Sequence, residues 1–209
     1  MKKVALGCGA IAVLLVLVVL MGGCGGYNRL VKLSQDTDAK WAQVQNQYQR
    51  RLDLIPNLVN TVSGAANFEK STLTEITSAR ASVGQVNIDR NQAPTDPAKL
   101  QEFERAQGQL SSALSRLLVV VERYPELKAN ANFRDLQAEL SGTENRIAVE
   151  RMRFNESVQN YNTATKSFPT LLLAGPMGFH PKPYFQAATG AEAPPKVNFD
   201  FGNKATNKP

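Results

Sequence analysis

Apolar residues recur every three or four positions between residues 27 and 168, in four stripes separated by glycine, proline or polar loops. The first stripe is Trp41, Val44, Tyr48, Arg51, Ile55, Leu58 and Val62; the second is Leu73, Ile76, Arg80 and Val83; the third is Leu100, Phe103, Gln107, Leu110, Leu114, Leu117, Val121 and Tyr124; the fourth is Phe133, Leu136, Leu140, Thr143, Ile147, Glu150, Phe154, Ser157, Tyr161, Ala164 and Phe168. This spacing is typical of helices that pack on one another at shallow angles. It predicts an all-α fold, an up-down antiparallel four-helix bundle over residues 27–168.

Residues between the stripes mark the predicted helix ends. Gly64 can close the first helix, and Asp96 followed by proline is typical of a helix start. We expect Pro125 to end the third helix and Asn132 to cap the fourth. Pro56 lies within the first stripe, where it predicts a kink in one long helix; a break into two helices is the alternative.

Residues 169–209 differ in composition from the bundle. Seven of the 11 prolines lie from Pro169 onward, and the helical period stops there. We expect a proline-rich, extended tail that packs partly on the bundle. The fourth helix returns toward the N-terminal segment, which places Phe168 and the apolar run 171–174 near a bilayer surface.

An N-terminal segment, residues 1–26, is predicted to tether the protein to a membrane. Residues 4–28 carry no charge, and the apolar part, residues 4–21, has 18 residues, which as a helix span roughly 27 Å, close to the thickness of a bilayer core. Two tethers fit: an uncleaved transmembrane helix, or a signal that ends at a lipid-modified Cys24 preceded by small residues. Lys2 and Lys3 slightly favour an exported body, although Arg29 soon follows on the other side.

Composition excludes several kinds of chemistry. The only cysteines are Cys8 and Cys24 and the only histidine is His180, which leaves no cysteine zinc site in the body and little basis for a serine–histidine–aspartate triad. The net charge of +6 is spread along the helices, so we expect no nucleic-acid partner. No phosphate-binding glycine loop or nucleophile elbow is present. We therefore predict no cofactor, no catalytic residue and no enzymatic activity.

A polar cluster on the first and fourth helices is the main candidate site. Arg51 and Glu150 occupy stripe positions, where an unpaired charge would be unfavourable. We expect each to pair with the other or with a neighbour in a network that sets helix register; an anionic ligand site is the alternative. The candidate residues are Arg50, Arg51, Asp53, Glu144, Asn145, Arg146 and Glu150, with Arg151 as a further partner.

Several ordered strings resemble the LemA family of bacterial membrane proteins. They are YNRLV at 27–31, WAQV at 41–44, QRRLDLIPNLV at 49–59, YPELKA at 124–129, GTENRIAV at 142–149, FP at 168–169 and KPYF at 182–185. The resemblance implies a bacterial source, an N-terminal membrane anchor and a four-helix antiparallel bundle, and it implies no particular activity. Glycines around Cys24 are more similar to lipoprotein-like members of the family.

Together these observations predict a non-catalytic scaffold or interaction protein tethered at the bacterial cell envelope. A membrane-anchored sensor with a polar site around Arg51 and Glu150 is the alternative. The expected partners are the membrane and other proteins, and the sequence leaves homo-oligomers open.

Overall fold

The computed structural model describes residues 2–65 and 68–186; of residues 2–24 and residue 173 it describes the backbone alone. Six helices and no strand occur in this part of the chain, which confirms the all-α prediction. The helices are α1 (Lys2–Ser63), α2 (Lys70–Gln85), α3 (Pro97–Val121), α4 (Pro125–Ala129), α5 (Ala131–Lys166) and α6 (Leu171–Ala174).

The helix starts follow local capping chemistry. Asp96 caps α3 as predicted, accepting a hydrogen bond from the backbone N of Ala98 at 2.8 Å. Helix α5 is capped by Asn130, which accepts from the N of Phe133 at 3.3 Å, and not by Asn132. The prediction was wrong here because Pro125 does not simply end a helix: it opens the short helix α4, which places the next cap at Asn130.

Helix α1 continues without a break through Pro56, so the alternative of two helices is wrong. Proline lacks an N–H, so the carbonyl of Leu52, four residues earlier, loses its helical donor. The Nε of Arg80 in α2 donates to this carbonyl at 3.2 Å. A contact from the neighbouring helix thus satisfies the group that the proline leaves open.

The four long helices form two antiparallel pairs. Helix α1 lies along α5, with Arg50 paired to Glu139 near one end and Leu30 packed with Ala164 near the other. Helix α2 lies along α3, where Arg116 pairs with Glu75 at 2.7 Å, and residues of both pairs pack together in one apolar core.

Three apolar clusters follow one another along α1. The distal core is largely aliphatic and includes Leu54, Ile55, Leu58, Val62, Ile76, Val83, Leu110, Leu117, Phe133 and Leu140. The central core is aromatic and includes Trp41, Tyr48, Leu100, Phe103, Ile147, Phe154, Val158 and Phe185. The basal cluster contains Leu30, Ala164 and Ala174.

The tail begins with structure that the sequence pattern did not predict. Residues 171–174 form helix α6, and residues 179–186, which we call the strap, are non-helical and run back along α5. Lys182 and Phe185 of the strap are buried, which agrees with a partly packed tail. Residues 187–209 lie outside the described part.

The predicted membrane tether also lies largely outside what can be described. Among the described residues, no helix contains a stretch both long and apolar enough to cross a bilayer. The predicted anchor and Cys24 fall within residues 1–24, whose side chains lie outside the described part.

Candidate functional site

Arg51 is the most buried charged side chain of the candidate cluster, with 1% of its surface exposed. Its guanidinium donates to Glu144 of α5, to the side-chain oxygen of Gln107 and, at 2.8 Å, to the hydroxyl of Ser111, the last two on α3. One residue of α1 thereby links α3 and α5. The Nε of Arg51 has no hydrogen-bond partner among the described residues.

The ion pair between Arg51 and Glu144 is exposed on one side only. Arg51 is buried, whereas 44% of the Glu144 side chain is exposed. Glu144 therefore keeps much of its hydration, and the desolvation cost falls mainly on Arg51. The aromatic ring of Tyr48, 5.2 Å from the Arg51 Cζ, gives the cation a further favourable contact.

A second ion pair lies beside the first, between Glu104 of α3 and Arg151 of α5 at 2.7 Å. The backbone of Gln186 joins both, because its carbonyl accepts from Arg151 at 2.9 Å and its N–H donates to Glu104 at 3.2 Å. The Arg151 Cζ lies 4.5 Å from the centre of the Phe185 ring. Gln186, at the end of the strap, thus hydrogen-bonds to both members of the Glu104–Arg151 ion pair, which joins α3 and α5.

These residues line a cavity of about 440 Å³ between α3 and α5. Its charged groups are Arg51, Arg105 and Arg151 against Glu104 and Glu144, an excess of one positive charge. Arg105 is exposed and makes no ion pair with any described residue. The lining of the cavity therefore carries one positive charge, on Arg105, without a paired carboxylate among the lining residues.

An apolar pocket of about 200 Å³ extends the cavity toward the distal end. It is lined by leucines, including Leu58, Leu114 and Leu140, and shares Ser111 and Glu144 with the larger cavity. The groove between α3 and α5 therefore has a charged part and an apolar part.

Burial raises the pKa of two groups in the site, Glu104 and Tyr48. It raises the pKa of the Glu104 carboxyl, and the neighbouring Arg151 and the Gln186 N–H only partly offset this effect. Burial also raises the pKa of the Tyr48 hydroxyl, with Arg151 and Arg51 opposing it. Both groups therefore favour their neutral forms more than in water.

The structure places the remaining predicted residues around this groove or away from it. Arg50 pairs with Glu139 on the surface. Asp53 accepts a hydrogen bond from Gln49 of its own helix at 2.7 Å. Asn145 is exposed to solvent.

Arg146 and Glu150 have local partners. Arg146 donates to Gln47 of α1 at 3.2 Å and to Thr143 at 2.9 Å. Glu150 pairs with Arg153, three residues further along α5, at 2.6 Å. Glu150 does not line the cavity. Arg51, the partner considered for it, pairs with Glu144 instead.

Several residues of the site were missed by sequence reasoning, among them Glu104, Arg105, Gln107 and Ser111. Glu104 and Arg105 lie just beyond Phe103 on α3, off the apolar stripe, and nothing in the pattern distinguishes them from solvated charges. Gln107 did carry a signal, since it is a polar residue on the stripe, and its side chain contacts Arg51.

A separate polar cluster holds the strap on α5. Asn162 donates to the carbonyl of Lys182 and accepts from its backbone N, both at 2.8 Å. Asn155, two turns earlier, makes the same two bonds to Phe185, at 3.0 Å and 2.9 Å. The two asparagines thereby supply the backbone partners that an extended segment needs.

The side chain of Lys182 completes this cluster. Its Nζ donates to Asp38 of α1 at 2.7 Å and lies 5.3 Å from the centre of the Tyr161 ring. Asp38 also accepts from the backbone N of Ala93, in the loop between α2 and α3, at 3.0 Å. Burial and the nearby Asp38 charge raise the pKa of Tyr161.

Within the described residues no group of three or more histidine, cysteine, aspartate or glutamate side chains could hold a metal ion. His180 is exposed. Cys24, the predicted lipidation site, lies outside the residues whose side chains are described.

The fold and this site together define a class: an all-helical protein with a very long first helix and a polar groove whose charges are mostly paired internally. The model of the LemA family matches residues 40–199. The chain therefore belongs to the LemA family, which confirms the resemblance of its motifs.

Individual relatives support this assignment. The chain is 26% identical to "Magnetosome protein MamQ 2" of Paramagnetospirillum magneticum, over 80% of this chain and 67% of that protein. It is 27% identical to "Magnetosome protein MamQ" of Magnetospirillum gryphiswaldense over the same shares. It is 24% identical to "Protein LemA" of Metamycoplasma hominis, over 78% of this chain and 70% of that protein.

Proposed function

We propose that this protein is a membrane-tethered, non-catalytic scaffold of the bacterial cell envelope, with its helical body on the exported side. The observation that carries the proposal is the continuity of α1, Lys2–Ser63, which joins the uncharged segment to the core without a linker. A continuous helix transmits a fixed orientation from the membrane to the body. The names of the magnetosome relatives, which refer to a bacterial organelle, are compatible with this role.

Two further features support a scaffold. The charges of the candidate site are mostly paired with one another, as expected for a network that holds helices in register. The large apolar side chains of Val149 and Met152 are exposed one turn apart on α5. Exposed apolar residues of this kind are suited to contact another protein.

Membrane fractionation tests the tether. We expect the full-length protein to remain with membranes after a carbonate wash, and its appearance in the soluble fraction would contradict the tether. Cys24→Ser then distinguishes the two tethers: loss of lipid labelling identifies a lipoprotein, and unchanged labelling identifies a helical anchor. Protease added to intact spheroplasts should digest the body if it is exported.

Partner capture tests the scaffold. Proteins that co-purify with the full chain in mild detergent should be lost from the double variant Val149→Asp with Met152→Lys. Val119→Asp, at an exposed apolar position of α3, is the matched control and should retain them. If both variants keep the same partners, or the wild type has none, the α5 surface is not a scaffold contact.

The second candidate function is a tethered sensor for an anionic ligand in the groove between α3 and α5. The observation in its favour is the cavity of about 440 Å³ with one excess positive charge and an adjoining apolar pocket. An acid with a short alkyl chain matches both parts.

Calorimetry with octanoate tests this candidate, with octanol as the neutral control. We expect binding of octanoate alone, and Arg105→Gln should weaken it about tenfold, because a hydrogen bond to a charged group contributes about 1.5 kcal/mol or more. Lys99→Gln, on the same helix outside the cavity, is the control. Equal binding of acid and alcohol would contradict an anion site.

A further inference from the structure

Four large apolar side chains are exposed within a ten-residue segment between α5 and the strap. They are Phe168, Leu171, Leu172 and Met177, and we call them the basal surface. Phe168 is 81% exposed and Leu172 is 66% exposed. Such a concentration of exposed apolar surface usually marks a contact with a partner or a membrane.

The basal surface faces away from the body because the opposite side of α6 is already packed. Thr170 and Ala174, one helical turn apart, are buried, and Ala174 packs with Leu30 and Ala164. Leu171 and Leu172 therefore point outward. The body itself does not cover these side chains.

Contacts with α1 place this surface beside the end of the predicted tether. A Cβ at Gly26 would lie only 3.8 Å from the hydroxyl of Thr170. The rings of Tyr27 and Phe179 meet edge to face, with centres 5.6 Å apart. The segment that carries the basal surface is thus held against residues 26 and 27 of α1.

The distance from the apolar run matches the depth of a lipid headgroup layer. Gly26 follows Met21, the last residue of that run, by five positions, which is roughly 8 Å along a helix. The headgroup layer on each side of a bilayer is roughly 5–8 Å thick. A lipid on Cys24 would bring Gly26 at least as close to the membrane.

Charge at this end of the protein matches an anionic lipid surface. Arg29, Lys32 and Lys166 are exposed near the basal surface. The sequence has no aspartate or glutamate in residues 1–35 or 157–191. Basic residues next to a membrane segment are attracted to anionic headgroups, and no acidic side chain of these segments opposes them.

We propose that the basal surface inserts into the headgroup region of an anionic bilayer and forms a second membrane contact beside the tether. This rests on the proposed tether and adds to it a means of orientation. A helical tether can itself tilt in the bilayer and carry the body with it, whereas two adjacent contacts hold the α1–α5 pair upright and keep the distal core away from the lipid. The same contact forms with a helical or a lipid tether.

The experiment uses the full chain in vesicles of phosphatidylcholine with phosphatidylglycerol. A fluorophore is placed on Leu172→Cys and, as the control, on Val119→Cys, an exposed apolar position of α3 far from the base. Labelled wild type accounts for the two native cysteines. Lipids with a spin label at the headgroup should quench the fluorophore at 172 at least threefold more than at 119.

A second labelled position controls for a local folding defect caused by the substitution at residue 172. Met177→Cys should show the same preferential quenching as Leu172→Cys, with unchanged helicity by circular dichroism. Vesicles of phosphatidylcholine alone should reduce quenching at both positions, because they lack the anionic headgroups that attract the basic residues.

Three outcomes would overturn the proposal in different ways. Equal quenching at 172 and 119, in protein that resists carbonate, removes the second contact and leaves the tether intact. Weak quenching at 172 together with excimers between pyrene labels there assigns the surface to a second copy of the chain. Loss of the full chain from vesicles overturns both the tether and the second contact.

Discussion

The distal and central cores are built by different means. The distal core draws its buried residues from all four long helices, and these residues are mainly leucine, isoleucine and valine. In the central core, α2 no longer contributes, because it has 16 residues against 36 in α5. The strap and the loop between α2 and α3 take its place, and aromatic rings fill the space.

This difference shows what the packing of the core needs where one helix is too short to contribute. A helix satisfies its own backbone, whereas non-helical chain on a helix surface finds no free backbone partner there. Side chains must supply the bonds, as Asn155 and Asn162 do for the strap and Asp38 does for the loop. Trp41 adds another, donating to the carbonyl of Asp89 at 2.8 Å.

The largest expected effect tests whether the strap is part of the central core. Phe185→Ala should lower the free energy of unfolding by about 3–5 kcal/mol, as for other buried phenylalanines. Guanidinium unfolding measures this, and Leu110→Ala in the distal core gives the reference of about 2–5 kcal/mol. Tyr184→Ala, exposed in the same segment, is the control.

The two cores should also respond differently to Phe185→Ala. Hydrogen exchange should accelerate at backbone amides around Trp41 and Phe154 and remain slow around Leu58. A cost below about 1 kcal/mol would mean that the strap only lies on the surface, since truncation of a buried phenylalanine costs more.

The next effect concerns the backbone partners of the strap. Asn162→Ala removes two hydrogen bonds to buried groups of Lys182, which should cost about 1–3 kcal/mol and speed amide exchange in the strap. Asn160→Ala, exposed on the same helix, controls for helix propensity. Equal effects of the two variants would show that the asparagine at 162 is dispensable.

A smaller effect tests the boundary between the cores, where Arg51 lies. A double-mutant cycle of Arg51→Met with Glu144→Gln should give a coupling of about 1–2 kcal/mol, reduced from the fully buried case because Glu144 is half-exposed. The matching cycle of Arg51 with Glu150→Gln should be additive within about 0.5 kcal/mol. Coupling to Glu150 instead would contradict the observed pairing.

The smallest effect is a pH dependence from Glu104. Because burial raises its pKa in the folded state, folding favours the protonated carboxyl. Its contribution to stability is therefore largest at low pH and is lost as the pH rises through the folded-state pKa. Compared with Glu104→Gln, the wild type should lose stability as the pH rises from about 4. A difference that grows with pH in favour of the wild type would show that Arg151 outweighs burial.

Much of the helical framework was predictable because its signals are local. A residue's position on a helix face depends only on the helical period, so Trp41, Leu58 and Phe154 were correctly placed in the core. The cap at Asp96 depends on its immediate neighbours and was also predicted. Arg51 was singled out because it is a charge at a core position.

The partners of these residues could not be predicted in the same way. Glu144 and Glu150 are six residues apart, roughly 9 Å along α5. Which of them meets Arg51 depends on how α5 is staggered and rotated against α1. The packing of two whole helices sets that stagger, and no local pattern specifies it.

The sequence alone determined the helical period, most of the buried faces, the family and the uncharged N-terminal segment, since each depends on the order of neighbouring residues. Only the tertiary structure decided that Arg51 contacts Glu144, that α3 and α5 enclose a cavity, and that the strap completes the central core. Non-helical chain has no period to reveal which side chains are buried. The strap is held by Asn155 and Asn162, which lie 30 and 20 residues away from their partners along the chain. The surface on which the strap packs therefore forms only once the helices have assembled.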